Sequence, residues 1–175
     1  MFFVFKEYLT LRYWRTLTIE LNKVMLNTMI SVDKYTRGSF DYKANKSALL
    51  ITRQLARNFK DQDIVISTEQ WKILLYLYRE DGQTQCSLSE ATGKDEPSIS
   101  RIINTMEKNN LVLRTPHPND RRTNLIHLTE SGRNMKEMLM FLGQKTNEEV
   151  TRGITREEIE TCINVLDKII GNLSW

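Results

Sequence analysis

The stretch RTPHPNDRRTNLIHLT, from Arg114 to Thr129, decides how the middle of this chain folds. Two apolar-rich runs flank a polar tip that holds Pro116 and Pro118, followed by Asp-Arg-Arg at positions 120–122. Proline fixes φ and cannot donate a hydrogen bond within a sheet, so the tip is a turn and the two runs are strands. The pattern predicts a β-hairpin that carries two adjacent arginines at its tip, directly behind an aspartate.

Two short helices are predicted just before this hairpin. The first runs from about Gln85 to Thr92, and Gly93 suits its end because glycine adopts a left-handed conformation without strain. The second runs from about Glu96 to Asn109, and Asp95 can cap it. Two helices joined by a tight turn and followed by a two-stranded ribbon indicate a winged helix-turn-helix.

Longer amphipathic helices are predicted on both sides of this unit. Ser67 with Gln70 and Thr155 with Glu158 have the spacing of capping boxes at helix starts. The helices run from Lys43 to Lys60, from Ser67 to near Gly82, from Thr129 or Ser131 to about Thr151, and from Thr155 to Leu173. The predicted fold class is therefore mainly α with a small β-hairpin.

Composition narrows the range of functions. The chain has 175 residues, 40% hydrophobic and 27% charged, with a net charge of +3, an ordinary globular balance that permits a nucleic-acid partner. No run reaches the ~18 apolar residues of a membrane helix. The two cysteines, Cys86 and Cys162, form no disulfide framework, so a reduced cytoplasmic protein is expected.

The first 40 residues are aromatic-rich and have no clean period. Two interpretations stay open. Translation starts natively near Met25 or Met29, or the segment is an additional helix that packs on the body of the protein.

The second short helix has the face expected of a recognition helix. If Ile99, Ile102, Ile103 and Met106 point inward, the outward face carries Ser98, Ser100, Arg101, Asn104 and Lys108. Arg101 can span guanine O6 and N7 or hold a phosphate, and Asn104 could read adenine. The alternative is a solvated helix face with no ligand.

The hairpin tip favours the DNA interpretation. An arginine on a tip that contributes nothing to the core can enter a narrow minor groove. Asp120 is expected to hold that guanidinium by a charge-assisted hydrogen bond.

The runs STEQWKILLYLY and LSEATGKDEPSISRIINTMEKNNLVLRTPHPNDRRTNLIHLTESG resemble the MarR family of bacterial transcriptional regulators. The specific part is the Asp-Arg-Arg tip after a proline turn, followed by a strand and Leu-Thr-Glu-x-Gly. The resemblance implies a homodimer that binds double-stranded DNA and needs no cofactor. Carried over by position, Ser98, Ser100 and Arg101 would face the major groove, Arg122 would enter the minor groove with its guanidinium oriented by Asp120, and Arg121 would contact backbone phosphate. The other expected DNA-contacting residues are Lys94, Asn104, Lys108 and Thr123.

Domain boundaries follow from the resemblance. Residues 67–129 would form the winged helix-turn-helix, residues 41–66 and 130–175 the helical dimerisation region, and residues 1–40 an N-terminal extension. The extension departs from the compact form of the family. Glu96 is a second departure from the family's pattern, because it puts a negative charge beside an expected phosphate contact.

Members of the family commonly respond to small aromatic or lipophilic effectors. The candidate lining residues here are Trp71, Tyr76, Tyr78 and Met135, although each of these is also an ordinary core residue. Cys86 and Cys162 are interpreted as small hydrophobes, and the two histidines, His117 and His127, make no zinc signature.

Two functions other than DNA-binding regulation compete for this sequence. One is a winged-helix module that docks protein and no longer binds DNA. The other is an enzyme, which is disfavoured because the sequence has no glycine-rich phosphate loop, nucleophile elbow or metal cluster.

Overall fold

The computed structural model describes residues 18–20 and 32–173. The chain divides into two compact units, Met1–Leu49 and Leu50–Trp175. In the first unit, residues 18–20 are helical, α1 spans Val32–Gly38, and α2 (Phe40–Lys60) begins. The two interpretations of the first 40 residues fall largely on positions outside the described ranges.

The second unit holds the rest of α2, which reaches Lys60, and all the elements that follow it. In chain order they are α3 (Thr68–Arg79), β1 (Gln83–Thr84), α4 (Gln85–Thr92), α5 (Glu96–Lys108), β2 (Val112–His117), β3 (Asp120–Leu128), α6 (Glu130–Asn134), α7 (Lys136–Val150) and α8 (Arg156–Leu173). The fold class expected from the sequence, mainly helical with a small antiparallel sheet, is confirmed.

The helix starts follow the signals in the sequence. Ser67 accepts from the backbone N–H of Gln70 at 3.1 Å, and the Gln70 side chain accepts from the N–H of Ser67 at 2.9 Å. This reciprocal pair satisfies two backbone donors that the first turn of α3 would otherwise leave unbonded. Gly93 ends α4 with φ +65°, a conformation that glycine adopts without strain.

The sheet has three strands in the order β1-β3-β2, not the two expected. The added strand is only Gln83–Thr84, which pairs antiparallel with Leu125 and Ile126 of β3. Two residues are too short to show an alternating pattern, so the sequence carried no sign of this strand. It ties the start of the helix-turn-helix to the wing formed by β2 and β3.

The core lies where α3, α4, α5 and the root of the wing meet. Its fully buried side chains include Ile73, Leu74, Leu77, Leu88, Ile99, Ile103, Met106, Val112 and Ile126. Three of the four inward residues predicted for α5 are buried, and Ile102 is half-buried at the edge. Packing of one apolar face against the core fixes which face of α5 is presented to solvent.

The single long helix predicted from Thr129 to Thr151 is wrong, because the chain forms α6 and α7 with a junction at Met135. The Tyr78 hydroxyl donates to the carbonyl oxygen of Gly132 at 2.8 Å. In a continuous helix that oxygen would accept from the N–H of Lys136, four residues later. A tertiary contact from α3 therefore competes with the helical bond at this junction.

A buried polar group joins α2 to α7. Asn58 is 2% exposed, and its amide donates to Thr146 Oγ1 at 2.8 Å and to Glu149 Oε2 at 2.9 Å. The amide of Gln54 donates to the same oxygen of Glu149 at 2.9 Å. These bonds lower the pKa of Glu149 below its usual value. Because buried polar groups need partners, the network sets the register of the two helices.

The last helix, α8, has no buried residue. Its apolar positions repeat at steps of three and four, and Ile163 and Leu173 are 51% and 66% exposed. Cys162, on the same stripe, is also exposed in the single chain, so its packing against an apolar partner stays a prediction. None of the helices in the described ranges is long and apolar enough to cross a membrane.

Candidate nucleic-acid interface

The solvent face of α5 is polar and basic. Arg101, Asn104 and Lys108 are all exposed and lie three and four positions apart, so they share one side of the helix. The opposite side is anchored by Ile99 and Ile103, which are fully buried. This places one amide and two cations where a groove of DNA could be contacted.

The two serines predicted to face DNA are less free than the sequence suggested. Ser98 donates from its hydroxyl to Asp95 Oδ2 at 2.8 Å, and its backbone N–H donates to Asp95 Oδ1 at 2.8 Å. These bonds cap α5 and lower the pKa of Asp95. The Ser98 hydroxyl proton is therefore already used in a hydrogen bond, and only its oxygen lone pairs remain to accept one. Ser100 is half-buried.

Lys94, in the turn of the helix-turn-helix, is also engaged. Its ammonium lies 2.7 Å from Glu69 Oε2, and this contact lowers the pKa of Glu69. The pair joins the turn before α5 to the first turn of α3. A cation held by a carboxylate attracts phosphate less than a free one, so Lys94 is first of all a structural contact in this chain.

The wing carries a bulge at its tip. Pro116 pairs with Asn124 and His117 pairs with Asp120, so residues 121–123 of β3 have no partner on β2. Asp120 stabilises this bulge, because its carboxylate accepts from the backbone N–H of Arg122 at 2.9 Å and from Thr123 Oγ1 at 2.7 Å. The same bonds lower the pKa of Asp120.

The expectation that Asp120 holds the guanidinium of Arg122 is therefore wrong in this structure, since the carboxylate bonds to the backbone instead. Arg122 is exposed, and no described residue accepts a hydrogen bond from its guanidinium. Asp120 shapes the loop and Arg122 points its charge outward from it. The side chain of Arg121 lies outside the described part of the structure, so its phosphate contact stays a prediction.

One residue that the sequence did not single out links the wing to α5. Arg114 of β2 forms an ion pair with Glu107, donates from Nη2 to Asn104 Oδ1 at 2.7 Å, and donates to Gln85 Oε1 at 3.2 Å and 3.3 Å. Its side chain is only 20% exposed. Strand alternation could indicate which way Arg114 points, but no local pattern reveals partners on two other elements.

The four residues proposed to line an effector site do not share one cavity among those described. Trp71 is buried, packs edge-on against Phe59 and borders a cavity of about 710 Å³ together with side chains of α7. The Tyr76 hydroxyl donates to the carbonyl of Ala91 at 2.6 Å. Burial raises the pKa of Tyr78 to about 12. With the half-buried Met135, these tyrosines pack against the core, and their effector role stays a prediction.

Cys86 does not have the setting of a reactive thiol. The nearby carboxylate of Glu90 raises the pKa of the exposed Cys86, which disfavours the thiolate.

His117 accepts a hydrogen bond at Nδ1 from the backbone of Asn119 at 3.2 Å. Within the described ranges, no group of three or more His, Cys, Asp or Glu residues could hold a metal ion.

Comparison with known proteins gives one family and one fold. A family model described as MarR family matches residues 66–123, which cover α3, α4, α5 and the wing as far as its bulge. The apo form of MarR from E. coli is 25% identical, over 74% of this chain and 96% of that chain, with a TM-score of 0.64.

Two of the similar structures contain DNA. A cysteine-to-serine mutant of MarR from E. coli complexed with operator DNA is 24% identical, over 77% of this chain and 96% of that one, with a TM-score of 0.71. The transcriptional repressor CouR, bound to a 23-mer DNA duplex, is 20% identical over 78% and 95%, with a TM-score of 0.71. The fold described above is thus that of winged helix-turn-helix proteins.

Proposed function

This chain belongs to the MarR family of transcriptional regulators, and on that premise we propose that it binds a pseudo-palindromic operator as a homodimer, represses transcription, and is released by a small effector. A repressor that occupies its operator blocks the polymerase. In support, α5 and the wing form the two contact elements of a winged helix, and a DNA-bound repressor is among the proteins of the same fold.

The observation that carries the proposal is the exposure of Arg101 on α5 and Arg122 on the wing. No residue in the described ranges accepts a hydrogen bond from either guanidinium. The positive charge of Arg101 does contribute to the lowered pKa of Asp95. The planar guanidinium fork of arginine matches the acceptors of phosphate and of the guanine edge. An exposed apolar face would suit protein docking instead, and the face that holds Arg101 and Lys108 is basic.

The direct test is selection of DNA from a random duplex pool by the purified full chain. We expect enrichment of one inverted-repeat sequence, with half-site centres about 34 Å apart, because a twofold dimer presents its two recognition helices one helical turn apart. Affinity for that sequence should fall steeply as salt is added, since phosphate contacts release counterions. A pool that stays unenriched, or a flat plot of log affinity against log salt, contradicts DNA binding.

The proposal that the chain forms a dimer rests on the exposed apolar stripe of α8. Its apolar stripe of Ile159, Ile163, Leu166 and Leu173 has coiled-coil-like spacing, yet no residue of the helix is buried in the single chain. Folded monomers rarely leave such a continuous apolar face in water, because its burial is favourable. A second copy of the chain would cover this face, and it would also double the number of DNA contacts.

The effector proposal rests on the cavity of about 710 Å³ beside Trp71. Phe141 and Met140 on its wall are 63% and 47% exposed, so a flat apolar molecule could contact aromatic and thioether groups there. The test measures release of the selected operator by benzoate and by an uncharged phenol, in the native chain and in Met140→Ala. Release at equal concentration from both chains, or from neither, contradicts this site.

A further inference from the structure

The guanidinium of Arg114 lies between the wing and α5. It bonds to Glu107 and Asn104 on α5 and to Gln85 at the start of α4. Three elements therefore converge on one cation that is largely shielded from solvent. Because arginine has five donors and no acceptor, any oxygen it contacts must face it, which fixes the orientation of the partner side chain.

This contact decides how the amide of Asn104 is presented. Its Oδ1 faces Arg114 at 2.7 Å, so the oxygen already accepts from a cation. Its Nδ2 has no hydrogen-bond partner among the residues that the structure describes, and the side chain is exposed. The amide therefore has donors to offer on its open side, with the positive charge of Arg114 behind its oxygen.

The DNA bases differ in the hydrogen-bond donors and acceptors that they present to an asparagine amide. To read adenine with two hydrogen bonds, an asparagine must accept from N6 while it donates to N7. Here the accepting oxygen is shared with a guanidinium, and the amino group of adenine would approach a cation that is itself a donor. Guanine presents two acceptors in the major groove and thymine presents O4, so donors suit both.

We propose that Arg114 is a positioning residue that sets base preference: by holding Asn104 Oδ1, it makes the recognition helix favour guanine or thymine over adenine at the position that Asn104 contacts. The adenine contact suggested by the sequence alone is thereby replaced. The inference rests on the proposed function, because it concerns the base contacts of the same DNA-binding helix.

The experiment compares DNA selected from a random duplex pool by the native chain, Asn104→Ala, Arg114→Met and Glu107→Gln. Asn104→Ala identifies the base pair whose preference depends on that amide. Arg114→Met keeps a long side chain but removes every donor, which frees Oδ1. Glu107→Gln is the matched control, because it leaves an acceptor for Arg114 and does not touch Asn104. Circular dichroism and the melting temperature report whether each variant is folded.

At the identified position we expect the native chain and Glu107→Gln to prefer guanine or thymine over adenine by about tenfold. Arg114→Met should shift that preference toward adenine by several-fold. Loss of affinity alone would follow from any loosening of the wing, whereas a change of preferred base requires a change in the amide.

Three results overturn the inference. The native chain could select adenine at this position, Arg114→Met could keep the native preference, or Asn104→Ala could leave every position unchanged. A native pool with no enriched sequence overturns the proposed function as well. The two failures are therefore distinguishable in a single data set.

Discussion

Gly132 lies against the carbonyl group of Leu111 so closely that a Cβ built at position 132 would stand 2.1 Å from the oxygen of Leu111. The same carbonyl accepts from the N–H of Thr129 at 3.1 Å, and Thr129 caps α6 through the N–H of Gly132 at 3.0 Å. The segment that follows β3, at Thr129 and Gly132, therefore packs directly against the segment that precedes β2, at Leu111. The contact fixes the root of the wing relative to α5.

The first prediction follows from this contact. Gly132→Ala should destabilise the folded protein by about 1–3 kcal/mol or more, because backbone must shift to admit the methyl group. Its neighbour Ser131 is exposed, so Ser131→Ala serves as the matched control and should change stability by less than about 0.5 kcal/mol. Urea unfolding followed by circular dichroism measures both. Equal stability of the two variants would refute the close contact.

A second prediction concerns the carboxylate at the wing tip. Asp120→Ala should lower operator affinity several-fold, because the bulge that presents Arg122 loses the bonds to its backbone N–H and to Thr123. Simple electrostatics predicts the opposite, since removal of a negative charge beside DNA should raise affinity. Fluorescence anisotropy with labelled operator decides between these signs.

The control for that variant is Asp120→Asn, which removes the same charge but keeps an oxygen that can accept from the backbone of Arg122. It should retain most of the native affinity. A gain in affinity from Asp120→Ala would show that the carboxylate acts only as a charge and that the bulge does not need it.

Acid should loosen the same bulge. Hydrogen bonds from Thr123 and from the backbone of Arg122 lower the pKa of Asp120. A carboxylate with a lowered pKa in the folded state contributes stability above its unfolded pKa, about 3.9, and loses it as the pH falls through the folded value. Amide hydrogen exchange of Arg122 should therefore accelerate below about pH 4 relative to the intrinsic rate. Asp120→Ala should show that fast exchange already at neutral pH.

Arg122 itself gives the fourth prediction. Arg122→Ala should weaken operator binding by about 1–3 kcal/mol, or five- to 150-fold, while the protein stays folded, because its exposed guanidinium makes no described hydrogen bond within the chain. Arg152→Ala makes the same change of charge outside the helix-turn-helix and wing and should bind nearly as well as the native chain. Equal losses in both variants would mean that only net charge matters.

The sequence was informative wherever a feature is local. The cap of α3 needs only Ser67 and Gln70, and the proline turn marks the wing without help from other elements. The sequence failed where partners lie far apart along the chain. Asn104 and Arg114 are neighbours only once the wing folds back on α5. Tyr78 bonds to Gly132, just before the break at Met135, from more than fifty residues earlier in the chain. No periodicity encodes such contacts.

The last prediction tests whether α8 is an interface between two copies of the chain. Ile163 is 51% exposed on the apolar stripe, whereas its neighbour Asn164 is exposed on another face of the helix. Ile163→Glu should convert the dimer into monomer, because a buried unpaired carboxylate is costly, and Asn164→Glu should leave it dimeric. Light scattering coupled to size exclusion measures the mass of each. Because two linked half-site contacts bind more tightly than one, the monomeric variant should also lose most of its operator affinity. A native chain that elutes as a monomer would leave the exposed stripe without this explanation.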